Sequence, residues 1–183
     1  PEHDGNGNNA GRLIVYFGSA TPDGAGDLVV TGNAASHRLG ARIGAVGDVN
    51  GDGYPDFTAT SSPPPSFSGE IDLFLGGATP SATAHAVLTE TTAPGLGHWV
   101  TGADLNADGY SDVVASTSGQ GGGLMVYFGG AGSFNVNADR FFILSQANPA
   151  FGASIVASDV NGDGHADLIA GAPQFDVASV VDT

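Results

Sequence analysis

A chain of 183 residues allows one ordinary domain or a short array of smaller units, and an apolar content of 41 % argues for a folded chain. Glycine, at 30 residues, is about twice its usual share, and charged residues, at 13 %, about half of theirs, which suits a turn-rich β protein. Four cations (Arg12, Arg38, Arg42 and Arg140) stand against nineteen acids for a formal charge of −15, so the basic face that nucleic acid or an anionic membrane surface requires is excluded. The absence of cysteine excludes disulfides, zinc–thiolate clusters and a cysteine nucleophile. No apolar run approaches about 18 residues, and no membrane span is expected. The chain begins at Pro1 without a basic-then-apolar leader, as a trimmed or processed start would.

In chain order, a polar lead, HDGNGNNAG, precedes a series of short apolar runs of strand length. GRLIVYFG from Gly11 and DLVVTG from Asp27 come first. Leu39-Gly40 then leads into the acidic stretch DVNGDGYPD, residues 48–56, followed by FTATS from Phe57, GEIDLFLG from Gly69 and AHAVLTE from Ala84. The series repeats: Leu96-Gly97, DLNADGYSD over 104–112, VVAST from Val113, GGLMVYFG from Gly122 and RFFILSQ from Arg140. It begins a third time with Phe151-Gly152, DVNGDGHAD over 159–167 and LIAGAP from Leu168. The acidic stretches start 56 and 55 residues apart. Pro63–Pro65 and Gly119–Gly123 fall at the same place in successive units and read as surface turns.

Four short strands per period of about 55 residues, with no helical pattern between them, predict the blades of a β-propeller. A β-sandwich would also supply many short strands, but it gives no reason for one nine-residue loop to recur at one place in each period. The fold class expected is all-β, with about three blade equivalents of four antiparallel strands: a half blade over 1–38, blades over 39–95 and 96–150, and a complementary half blade over 151–183. Propellers are typically built of four to eight blades, so one copy is not expected to close; a second copy, the missing blades of a longer protein, or a filament would cover its ends.

The nine-residue loops carry the chemistry. Aspartate or asparagine at positions 1, 3 and 5, glycine at 6 and aspartate at 9 gather hard oxygen donors within one turn, the donor type that suits Ca2+. Position 7 contributes a backbone carbonyl, so its side chain is free to vary. About three calcium sites are expected: Asp48, Asn50, Asp52, Tyr54 and Asp56; Asp104, Asn106, Asp108, Tyr110 and Asp112; and Asp159, Asn161, Asp163, His165 and Asp167. An EF-hand would need glutamate at position 12, where Ala59, Ala115 and Ala170 stand within apolar runs. Without metal, such stretches are Asx-rich turns.

These residues resemble the FG-GAP repeats of integrin α subunits and their bacterial relatives. The marks are Phe151-Gly152, Gly171-Ala172-Pro173, the calcium-type loop between them, and the VYFG runs ending at Gly18 and Gly129. The resemblance implies propeller blades, calcium held by the loop acids named above, and ligands bound elsewhere on the propeller. The first two units are looser members, with leucine at 39 and 96 and with Ala59-Thr60-Ser61 and Ala115-Ser116-Thr117 at the GAP positions.

No GxSxG elbow, phosphate-binding glycine-lysine loop, HExxH or CxxC is present, and no lysine is available for Schiff-base chemistry. His98 beside Trp99 reads as a packing pair, and the His165 ring as solvent-facing. The chain is therefore expected not to be an enzyme but a calcium-binding, secreted or cell-surface adhesion or interaction module, possible partners being a protein or glycan ligand or another copy. The alternatives are accessory carbohydrate- or substrate-binding repeats of a larger secreted enzyme, or a lectin. Secretion follows from calcium, since modules with dissociation constants around 10⁻⁴ to 10⁻³ M fill only in the calcium-rich exterior.

Overall fold

The computed structural model describes residues 9–21, 23–61, 69–90, 95–118, 122–143 and 150–174, and every regular element among them is a β-strand. Twelve strands follow in order: β1 (Arg12–Val15), β2 (Leu28–Thr31), β3 (Arg42–Gly47), β4 (Asp56–Ser61), β5 (Glu70–Phe74), β6 (Ala86–Thr89), β7 (Leu96–Ala103), β8 (Asp112–Thr117), β9 (Gly123–Tyr127), β10 (Arg140–Phe142), β11 (Ile155–Ser158) and β12 (Asp167–Ala170). They form two four-stranded antiparallel meanders, β3-β4-β5-β6 and β7-β8-β9-β10, flanked by the two-stranded sheets β1-β2 and β11-β12. This is the architecture of propeller blades. The four sheets form no closed ring.

The middle strands explain why the sequence reads as short apolar runs. Every residue of β8 and β9 is buried, as are most of β4 and β5, because each strand is covered on both faces. Alternation then sorts side chains between two neighbours. Ile71 and Leu73 of β5 join Val113 and Ala115 of β8 and Met125 and Tyr127 of β9 in the core between the two meanders. Phe74, on the opposite face of β5, packs with Leu13, Val30 and Leu39 toward β1-β2. Val114, Leu124 and Val126 turn the other way, toward Phe151, Ile155 and Leu168. The core is thus three apolar layers between successive sheets. Truncating one of these side chains to alanine would cost roughly 2 to 5 kcal/mol.

The first strands of successive units converge. β3 lies against β7, and β7 against β11. The approach is close enough that a Cβ on Gly102 would meet the Val46 backbone. Glycine is therefore required where these inner strands converge.

Some predicted runs are longer than the strands. β1 stops at Val15 because the Phe17 N–H leaves the ladder and donates to the Asp27 carboxylate at 2.6 Å, leaving Tyr16 and Phe17 exposed. β12 ends at Ala170, ahead of Gly171-Ala172-Pro173. β10 spans Arg140–Phe142 of RFFILSQ, whose residues 144–146 lie outside the described residues. The proline run Pro63–Pro65, the lead over residues 3–8 and Gly119–121 lie outside the described residues.

Candidate functional site

Each acidic loop joins the first two strands of a unit: 48–56 between β3 and β4, 104–112 between β7 and β8, and 159–167 between β11 and β12. All three adopt one conformation. Position 6 takes a positive φ in each, +89° at Gly53, +92° at Gly109 and +90° at Gly164. Position 4 does the same at Gly51, Ala107 and Gly162, so Ala107 occupies a left-handed conformation that an L residue rarely adopts.

The carboxylates hold the turn from inside. Asp48 Oδ2 accepts from the Gly53 N–H at 2.7 Å, and its Oδ1 accepts from Gly51 and Asp52. Asp104 and Asp159 accept the equivalent bonds from Gly109 and Gly164, both at 2.9 Å. Position 5 accepts from the N–H of position 7 at 2.9 Å in all three loops and from the asparagine side chain at position 3. Desolvation raises the Asp48 pKa, but the bonds from Gly53, Gly51, Asp52 and Asn50 together outweigh it, and the pKa falls. The His165 N–H and the Asn161 amide lower that of Asp163.

Position 9 behaves differently. Asp56 and Asp112 are buried at the start of β4 and β8, and each bridges two backbone segments. Asp56 accepts from Val49 N–H at 2.8 Å and from Gly76, just past β5, at 2.7 Å; Asp112 accepts from Leu105 at 2.9 Å and Gly129 at 3.0 Å. Desolvation raises the pKa of both despite these bonds, and the charges at positions 5 and 1 of the same loop raise them further. The acids of a loop therefore feel one another's charge.

The sequence-predicted site residues thus come together loop by loop, into three separate turns rather than one site. Among the described residues no group of three or more histidine or acidic side chains is drawn into a metal-holding cluster, since the acids are spread around each turn on N–H groups. The fit to calcium rests on donor chemistry. Carboxylates at 1, 5 and 9, an amide oxygen at 3 and a carbonyl at 7 are hard oxygen donors, and the mutual repulsion at Asp56 and Asp112 is what a dication relieves. On that ground the residues fit.

The His165 ring is exposed at position 7, and Trp99 is 43 % exposed on β7, more open than a packing residue. Sequence reasoning passed over a second cluster, His37, Glu70 and Asp72. Its only signal was two acids at alternate positions of GEIDLFLG, where GGLMVYFG has glycine and methionine.

Residues 48–115 match the FG-GAP-like repeat, and residues 151–183 match the FG-GAP repeat. The two matches together cover more than half of the chain and contain all three loops. Such repeats indicate propeller-type interaction modules, which are generally non-catalytic. The chain belongs to the FG-GAP repeat proteins.

Proposed function

We propose that this chain is a calcium-stabilised, non-catalytic interaction module that works outside the cell. The observation that carries the reading is the threefold recurrence of one left-handed, acid-lined turn whose ninth residue, in two of three copies, is a buried carboxylate joining loop to strand end. Asp48, Asn50, Asp52, the Tyr54 carbonyl and Asp56 would hold the ion in the first loop, with the corresponding residues in the other two. Bound calcium supplies positive charge that neutralises the acids. The chain's own residues do the rest: the glycines set the turn, and Asp56 and Asp112 transmit its rigidity to the ends of β5 and β9. FG-GAP repeats are typical of extracellular proteins, and no described helix is long and apolar enough to cross a membrane. The experiment is isothermal titration with calcium. The reading requires about three sites, lost together when Asp48, Asp104 and Asp159 are replaced by alanine; heat changes identical in that variant would overturn it.

The outer sheets favour assembly. Ile14 and Val29 form a cross-strand pair on β1-β2, 40 % and 43 % exposed, and Val156 and Ile169 form another on β11-β12, 50 % and 45 % exposed. The repeat equivalents of Ile14 and Ile169, Met125 and Val114, are buried between sheets. Further blades, from a second copy or from a longer chain, would cover both pairs. Light scattering separates the two: a mass twice 18.1 kDa indicates the second copy, and a monomer mass the longer chain.

A further inference from the structure

Strand β5 carries two acids that the repeat does not need. Over residues 70–74 it reads Glu-Ile-Asp-Leu-Phe, so Glu70 and Asp72 share the face of Phe74, toward β1-β2. In the next blade Gly123 and Met125 stand at the equivalent places, and Met125 is an ordinary core residue. Asp72 is nevertheless only 7 % exposed, and its carboxylate accepts no hydrogen bond among the described residues. Burial raises its pKa to about 6, with Glu70 adding to the rise and His37 opposing it. No guanidinium is among the groups that act on its charge. Asp72 lines a cavity, and a largely desolvated carboxylate there favours a cationic partner.

His37, in the connection from β2 to β3, lines the same space. It is 6 % exposed, and its Nε2 lies 2.8 Å from Glu70 Oε1 and 3.3 Å from Ser61 Oγ. An ionised carboxylate only accepts, so Nε2 carries the proton. Nδ1 is then left buried without a partner. His37 and Asp72 line one cavity of about 320 Å³ beside β2, β5 and β6, which Thr31, Phe74, Thr83 and Val87 also line. Hydrolytic use of Ser61, His37 and Glu70 is excluded by geometry, because nucleophile and acid meet the same ring nitrogen instead of opposite ones.

We propose that this cavity binds a primary ammonium group, carried by a free alkylamine or by a lysine side chain of a partner protein. The ammonium N–H groups donate to the Asp72 carboxylate beside the His37 ring, and the aliphatic stem lies along Phe74 and Val87. An ammonium brings a full charge and several donors to a cavity carboxylate that has no hydrogen-bond donor among the described residues. The chain contains no lysine, so neither it nor a second copy can supply that side chain. The site does not depend on the loops holding calcium.

The test is a titration of the whole chain with n-butylammonium, following the ring signals of its five histidines by NMR, with His37→Gln used to assign one of them. A saturable shift of the His37 ring alone is expected, the same in calcium and in chelator. n-Butanol, of equal length without charge, is expected to give no such shift. Asp72→Asn should weaken binding at least about tenfold; if that variant does not fold, the contrast between butylammonium and butanol in the unmodified chain decides. Tighter binding of Nα-acetyl-lysine methylamide than of butylammonium identifies a partner side chain, and the reverse order a free amine. A static His37 signal, equal binding of butanol, or a saturable response of the His37 ring to calcium alone would overturn the proposal.

Discussion

The first two acidic loops and the third have nearly the same sequence and the same turn, yet they are built into the molecule to different depths. Asp56 and Asp112 are buried and each joins its loop to the strand end that follows, through Gly76 and Gly129. Asp167 is half-buried, and among the described residues it accepts only from Val160, at 3.0 Å. The first loop is further pinned by the second blade: its Asp48 and Val49 carbonyls accept from the Ser111 and Gly130 N–H groups, and Gly51 lies under the Tyr110 ring. A loop's sequence thus sets its turn, while its neighbours decide how much of the fold it holds.

Asp56→Ala and Asp112→Ala should separate the loops most sharply. Each leaves two buried or partly buried backbone N–H groups without an acceptor, a loss of about 3 kcal/mol in chelator, whereas Asp167→Ala frees one exposed N–H and should cost less than about 1 kcal/mol. Urea unfolding of the three variants gives the comparison; equal losses would break it.

Glycine at position 4 sharpens the same contrast. A Cβ on Gly51 would lie 2.5 Å from Tyr110 Cε1, while one on Gly162 meets nothing within 4 Å, although both have the same left-handed φ. Gly51→Ala should cost about 2 kcal/mol and Gly162→Ala about 1 kcal/mol, the difference being the displaced ring. Melting temperatures of the pair, with Tyr110→Ala restoring the Gly51→Ala value toward that of Gly162→Ala, would check it. The converse change, Ala107→Gly, relieves the left-handed alanine at φ +61° and should gain about 1 kcal/mol.

The smallest effect is a slope with pH. Burial raises the pKa of Asp56 and Asp112 in the folded chain, so the native state holds their protons more tightly than the unfolded chain does. In chelator their contribution is fully present below the ordinary carboxylate value of 3.8 and is lost as pH rises through the folded pKa. Calcium requires the ionised forms, so in calcium the slope should reverse over the same range. Unfolding free energies against pH, with and without the ion, test the sign.

The period, the four strands and the loops were legible because they recur, and because the β5, β8 and β9 runs are mostly apolar from being covered on both faces. The inner strands were legible only through the period, as the first of its four. β3 reads Arg-Ile-Gly-Ala-Val-Gly, with glycine where strands converge instead of a strand's usual apolar signature. The split among the loops was hidden as well, since the partner of Asp56 lies 20 residues downstream and only the folded blade brings Gly76 to it. His37 comes from the β2–β3 connection and Asp72 from β5, and nothing local in the sequence announces that they share a cavity.

The most direct test of the account is scanning calorimetry of the chain in millimolar calcium and in chelator, beside a variant carrying Asp48→Ala, Asp104→Ala and Asp159→Ala. A ligand that binds only the native state raises stability by RT ln(1 + [L]/Kd), about 2.7 kcal/mol at a hundredfold excess over Kd. The account predicts a melting temperature that climbs with calcium in the unmodified chain and does not move in the variant. A melting temperature of the unmodified chain that is the same in calcium and in chelator would contradict it.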